Sequence, residues 1–260
     1  MSRCQPFRHR RPMAALGICL LGLPGLVLAQ ATVKPDGKMR YALGAGASYS
    51  SGNTSAASVN LNGEAVQATE ESKLTLGGKA LWSRSEGQTT AENVSFGVAY
   101  NKDFTPDWFG FGSGDFLRDE FANIQARGSV HGGVGRHLIK ADDLSWDATL
   151  GVGYSQDRYF DPIVVNDELR ERYGRAELVL GEESSHKFTE TTSFRQKLSY
   201  YPALDSGGGS RATLDAGLSV AMNARLSLTA GLNYRYDSDP GVGLKKGDTL
   251  FVTGISVKLD

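Results

Sequence analysis

Ser129 and His131 have the types and spacing that come nearest to a catalytic pair in this chain, since a histidine beside a serine hydroxyl can serve as its general base. Two residues apart on an extended segment, they face the same way, with Arg127 on the same stripe. Shared facing does not set the orientation a nucleophile needs, so a polar lining is the plainer reading. Of the other histidines, His9 lies in a leader-like start, His186 in a predicted turn and His137 farther along the same segment as His131. Asp237, Asp239 and Asp248 offer oxygen ligands of the kind calcium takes. A solvated acidic loop beside Lys245 and Lys246 accounts for them more simply. Gly207-Gly208-Gly209 is no phosphate cradle, because no helix follows it. Neither an enzyme, a cofactor nor a metal site is expected.

The elements that would position these residues are strands. Leu226, Leu228, Ala230, Leu232, Tyr234 and Tyr236 make one stripe, and Ser227, Thr229, Gly231, Asn233 and Arg235 make the other. Successive side chains of a strand point to opposite faces, so the segment has one oily side and one wet side. Twelve such segments are read, over 40–50, 56–68, 73–85, 91–104, 108–118, 125–139, 144–157, 170–181, 189–201, 212–222, 225–237 and 249–259. The connections after even-numbered strands are short, while 158–169, 202–211 and 238–248 are longer. An even strand count with alternating short turns and long loops is the rule of an outer-membrane barrel. The expected fold is therefore all-β, an antiparallel transmembrane β-barrel of about 12 strands, preceded by a cleaved signal peptide. An exported soluble β-sandwich is the alternative.

The start of the chain supports export. Arg3, Arg8, Arg10 and Arg11 precede an apolar run that ends in Ala29-Gln30-Ala31, a small-x-small peptidase site. The expected organisation is a signal peptide over 1–31, a periplasmic segment over 32–39 and a barrel over 40–260. Cys4 and Cys19 both fall in the predicted leader, so the mature chain is expected to have no thiol or disulfide. A net charge of −1 argues against nucleic acid as a partner. The partners implied are outer-membrane lipid, the assembly machinery and periplasmic chaperones of barrel biogenesis, and small solutes or ions if the lumen conducts. Tyr41, Tyr49, Trp82, Tyr100, Trp108, Trp146, Tyr154, Tyr200 and Tyr236 lie near strand ends, where aromatic girdles meet the headgroups.

With the apolar stripes toward lipid, Lys79, Arg127, Asp147, Arg175, Glu177, Arg195, Lys197, Asp215 and Arg235 point inward. Charges of both signs can pair and close a narrow lumen, or line a small water path. The fifth and sixth strands break the pattern. Phe109, Phe111 and Phe116 do not share one parity, and Gly128, Gly132, Gly133 and Gly135 leave the sixth strand thin, so a bulge is expected to reset the phase.

Ser51-Gly52-Asn53-Thr54, Thr192-Ser193-Phe194 with Gln196 and Leu198-Ser199, Tyr236-Asp237-Ser238-Asp239-Pro240, and Lys245-Lys246 with Asp248-Thr249 together give the chain a family likeness. It resembles the salt-induced outer membrane proteins over essentially the whole of 41–259. The resemblance implies an outer-membrane barrel and a link to salt or osmotic stress, and supplies no catalytic residues. One departure is the last outward stripe, Phe251, Thr253, Ile255, Val257 and Leu259. It puts Leu259 where barrel proteins commonly place the aromatic residue that the assembly machinery reads.

Overall fold

The computed structural model describes residues 31, 33–50, 56–165, 168–205, 209–240 and 245–259. The predicted leader, apart from Ala31, lies outside them, as do Gly207, Gly208 and the first hairpin turn. Twelve strands close on themselves into one antiparallel barrel, which removes the soluble sandwich from consideration. They are β1 (Met39–Ser50), β2 (Ala56–Ala68), β3 (Ser72–Ser85), β4 (Gln88–Asp103), β5 (Trp108–Asp119), β6 (Ile124–Lys140), β7 (Leu144–Val165), β8 (Glu168–Lys187), β9 (Thr192–Pro202), β10 (Ser210–Ala221), β11 (Leu226–Asp237) and β12 (Gly247–Leu259). Closure is made by β1 on β12, from Tyr41 opposite Leu259 to Ala45 opposite Ile255. Every strand is hydrogen-bonded to a neighbour on both sides, the β1–β12 seam being the shortest ladder, as strands in lipid require partners for their backbone groups.

At one end the turns are short and built alike. Thr69, Thr105, Ala141, Thr189 and Asn223 each donate a backbone N–H to the carbonyl three residues on. In most of these turns the first side chain also accepts a backbone bond: Thr69 from Ser72, Thr105 from Trp108, Thr189 from Thr192 and Asn223 from Leu226. Such side-chain caps are the reason Thr and Asn suit turns.

The other end differs from the expectation most in one hairpin; elsewhere β4 begins at Gln88 and β10 at Ser210, a few residues earlier than expected. The irregular stretch expected over 158–169 is instead ladder, with β7 running to Val165 and β8 starting at Glu168. Its pairing continues through Arg158 opposite Arg172 and resumes, after an irregularity, at Ile163 opposite Arg170. The hairpin's residues alternate too weakly in hydropathy to read as strand, because beyond the apolar band neither face needs to be oily. β8 likewise runs on to Lys187, so the connection expected over 182–188 shrinks to 188–191.

Burial is inside out. The deeply buried side chains are mainly polar, including Ser58, Asn60, Ser155, Asp157, Glu177, Ser227 and Ser256. Leu43, Leu61, Phe96, Leu150, Val152, Tyr154, Phe251 and Ile255 face outward. Aromatics stand on this outer face toward both ends: Tyr41, Tyr100, Trp108 and Trp146 by the short turns, and Trp82, Tyr154 and Tyr200 by the hairpins. The side chain of Tyr49 lies outside the described residues, and Tyr236 is half-buried.

The break in β5 and β6 has a packing cause. Parity holds through the phenylalanines, and the register shift comes later, between Leu117 and Asp119. Phe116 faces out, whereas Phe109 and Phe111 turn into the lumen and lie over glycines. Phe111 pairs with Gly133, and its ring edge lies 2.9 Å from where a Cβ on Gly133 or Gly151 would stand. Phe109 pairs with Gly135, and a Cβ there would fall within its ring. The thin sixth strand is therefore a bed for two inward aromatics. Gly135→Val should destabilise the barrel by about 1–3 kcal/mol through overpacking. Urea unfolding of the refolded barrel checks this, and wild-type stability would refute it.

Candidate functional site

On the inner faces of β6, β7 and β8 the ladder sets three polar rows side by side. Register places His131 by Gly153 and Glu177, Ser129 by Ser155 and Arg175, and Arg127 by Asp157 and Tyr173. His131 crosses β7 because Gly153 leaves the room; a Cβ at Gly153 would collide with its ring. Its Nε2 then lies 2.8 Å from Glu177 Oε1. Ser155 Oγ is 2.7 Å from the same oxygen and 2.8 Å from Ser129 Oγ. Arg211, from β10, donates from Nη2 to both Glu177 oxygens at 2.8 and 2.7 Å. One row on, Asp157 accepts from Arg127 Nε and Nη2 at 2.5 and 2.7 Å, and from Arg175 Nη2 at 3.2 Å.

This geometry answers the Ser129–His131 question. The histidine is turned to a carboxylate, not to the serine, and Ser129 is held by Ser155. The residues form a buried network in which each carboxylate is shared by several donors, with Arg211 Nε left without a partner among the described residues. Among the described residues no cluster of three His, Cys, Asp or Glu side chains could hold a metal ion. Asp237 instead lies 3.6 Å from Arg127 and accepts the Asp239 N–H at 3.0 Å.

A second set of contacts crosses the barrel. Lys79 on β3 reaches Asp215 on β10 at 2.8 Å, and Asn233 also bonds that carboxylate. Arg195 on β9 reaches Glu64 on β2 at 2.8 Å, and Lys73 on β3 reaches Glu183 on β8 at 3.5 Å. Arg235 on β11 faces Asp119 on β5 at 3.5 Å. The partners in each pair sit on strands far apart around the ring, so the pairs brace the lumen transversely. Around them an elongated cavity of about 740 Å³ runs up the barrel, and a second of about 370 Å³ lies toward the short-turn mouth; Lys73 and Asn101 border both. Lys197 points into the larger cavity and makes no hydrogen bond or ion pair among the described residues.

The segment before β1 enters the short-turn mouth. Val33 and Pro35 border the smaller cavity, and in the uncleaved chain Ala31, the last residue of the expected leader, packs on the inner-face residues Ala42 and Val66 and donates its N–H to Glu64 at 2.8 Å. Asp36 ties the segment down, accepting both guanidinium arms of Arg40 at 2.8 and 2.6 Å. The Arg40 hydrogen bonds, with the Lys38 backbone N–H, hold the Asp36 carboxyl well below the usual carboxylate range. A depressed carboxyl stabilises the fold above its unfolded pKa and loses that contribution only as pH falls through the folded value. The tie should therefore persist at about pH 3.9, where a free aspartate is half protonated. A spin label at Val33→Cys should stay ordered there and loosen only in stronger acid; release near pH 3.9 would contradict it.

Of the inward residues expected from sequence, Lys79, Arg127, Arg195, Lys197, Asp215 and Arg235 border the larger cavity. Arg175 and Glu177 are sealed in the network, and Asp147 borders the smaller cavity, 2.7 Å from His137 Nδ1. Sequence reading missed Glu64, Asp119, Asp157, Glu183 and Arg211. Asp157 shares the parity of Asp147 on one strand, so alternation could have found it. Glu183 was hidden because its strand was ended too early, and Arg211 because its strand was begun too late.

The family model described as "Protein of unknown function, DUF481" matches residues 43–259. No curated protein matches the chain. Among solved structures, the NanC porin is 13% identical at a TM-score of 0.49, over 85% of this chain and 100% of that one. The translocator domain of the autotransporter NalP from Neisseria meningitidis is 11% identical at 0.43, over 85% and 87%. The Pseudomonas putida toluene transporter TodX is 11% identical at 0.37, over 86% and 89%.

Proposed function

The chain belongs to the DUF481 family, whose function is unknown, and from that premise we propose an integral outer-membrane barrel with a narrow, charge-braced channel for small solutes or ions. The observation that carries the membrane location is the inverted burial: apolar side chains outside, with ionic and hydroxyl side chains sealed within. In water that arrangement would expose a continuous oily belt, whereas in lipid a closed barrel pairs each strand with two neighbours. The short-turn end then faces the periplasm and the tall hairpins face outward. Such a protein contacts outer-membrane lipid, and periplasmic chaperones and the barrel assembly machinery deliver it there.

Two cavities that share Lys73 and Asn101 support a water path through the lumen. The transverse ion pairs favour a second reading, a structural barrel whose lumen is braced shut. A role in salt or osmotic stress belongs to the proposal as well. The braces are partly solvated, and pairs of that kind weaken as salt rises. A deletion strain that grows normally at high salt would remove that part.

The location is tested by outer-membrane fractionation and a semi-native gel of the detergent-extracted protein. An outer-membrane band that shifts on boiling is expected. A soluble periplasmic protein with no shift would overturn the proposal.

A further inference from the structure

The outer face of β5 to β8 carries an anomaly at its hairpin end. Arg158 on β7 is paired directly with Arg172 on β8 and, on its other side, with Ala126 on β6. Arg118 on β5 comes two residues after Phe116, which pairs with Gly128, so it stands at the level of Ala126 beside the local bulge. All three arginines are exposed and share the outward parity of Phe116 and Tyr154. Like charges directly opposite each other on one face of a sheet are destabilising. Among the described residues none of the three has a carboxylate within ion-pair distance. What holds Arg118 is a ring: its guanidinium lies 5.0 Å from the Phe160 centroid. By contrast Arg127 and Arg175, on the inner face nearby, share Asp157, and Arg170 at the hairpin tip is 2.7 Å from Glu168. At this level of the wall the inner-face arginines are paired, and the outward row is not.

We propose that this row binds the phosphate of a lipid headgroup in the outer leaflet, with the lipid's acyl chains lying on the belt below. Guanidinium forks match phosphate oxygens, and an anion between Arg158 and Arg172 turns their repulsion into attraction. The row's height fits. Arg158 is 14 residues beyond Leu144. At ~3.3 Å per residue and ~40° tilt it stands roughly 35 Å up the wall, clear of an apolar band ~25 Å tall. The layer just below pairs Gly128, Gln156 and Gly174, and two of these three lack side chains. Tyr154 fills part of that step, its hydroxyl lying where a Gly174 Cβ would be, so a polar group points from the belt toward the arginines. A free anion would need only the arginines; the belt, the thin step and the raised row together describe a headgroup above acyl chains.

The inference rests on the outer-membrane reading, and its test keeps the two separable. Detergent-folded wild type, the Arg158→Gln/Arg172→Gln variant and the single Arg172→Gln variant are first checked for the heat shift. Each is then titrated with lipopolysaccharide and with its dephosphorylated form, with inorganic phosphate as competitor. The double variant should bind lipopolysaccharide roughly ten- to thirtyfold more weakly than wild type, and the single variant should fall between. All three should bind the dephosphorylated form equally weakly, and equimolar inorganic phosphate should not compete. Equal binding by wild type and a heat-shifting variant would overturn this inference alone, as would displacement by inorganic phosphate, which marks a free-anion site. Loss of the heat shift in wild type would overturn both readings.

Discussion

Replacing Asp157 by asparagine should cost the barrel about 3–5 kcal/mol of stability, because it takes from buried Arg127 and Arg175 the counter-charge they hydrogen-bond most closely. The Asp157 side chain is 1% exposed, and those of Arg127 and Arg175 are 12% and 7% exposed. Arg127 holds both carboxylate oxygens, and Tyr159 OH adds a bond at 3.1 Å. Asparagine keeps the shape but offers one acceptor and no charge, so two guanidinium groups compete for it. Asp237, 3.6 Å from Arg127, restores a little of the loss. The exposed pair of Lys102 and Glu71 is a fair control, since surface pairs contribute about 0–1 kcal/mol. Urea unfolding of barrels folded in detergent should show a large loss for Asp157→Asn and almost none for Glu71→Gln. Equal, small losses would mean that the network on β6 to β8 is ornamental to folding.

Removing a transverse brace should open the lumen. The Lys79–Asp215 pair joins β3 to β10, with both side chains about a quarter to a third exposed to the cavity. The double variant Lys79→Ala/Asp215→Ala deletes both halves, so no uncompensated charge remains, and the space they filled becomes water. Single-channel conductance should then rise roughly twofold over wild type in the same salt. Lys79→Ala alone leaves Asp215 facing the path and should shift selectivity toward cations. A double variant with wild-type conductance would place the constriction elsewhere, with Arg195–Glu64 the next brace to test.

Strand alternation made the barrel legible, because lipid outside and water inside force a period of two on every strand that crosses the band. That same dependence explains the misses. Beyond the band the constraint lapses, so Arg158 to Leu169 read as irregular although the ladder continues there. In β5 the mixed parity of the phenylalanines read as a break in phase, yet parity holds and Phe109 and Phe111 turn inward over Gly133, Gly135 and Gly151. A single strand's pattern cannot show which neighbours are glycine in register; that needs the pairing. The site shows the same limit. Parity says that Lys79 and Asp215 both face the lumen, but only closure brings residues 136 apart in sequence into contact. The Ser129–His131 spacing was real, and its meaning changed once Glu177 arrived from two strands away.

The central claim is that the braced lumen still carries water from mouth to mouth, and planar-bilayer recording of the wild-type barrel tests it most directly. The account predicts small, steady openings whose conductance climbs faster than the bulk solution's as salt weakens the transverse pairs. A heat-modifiable barrel that inserts and yet shows no openings at any salt concentration would contradict the channel and leave a structural barrel.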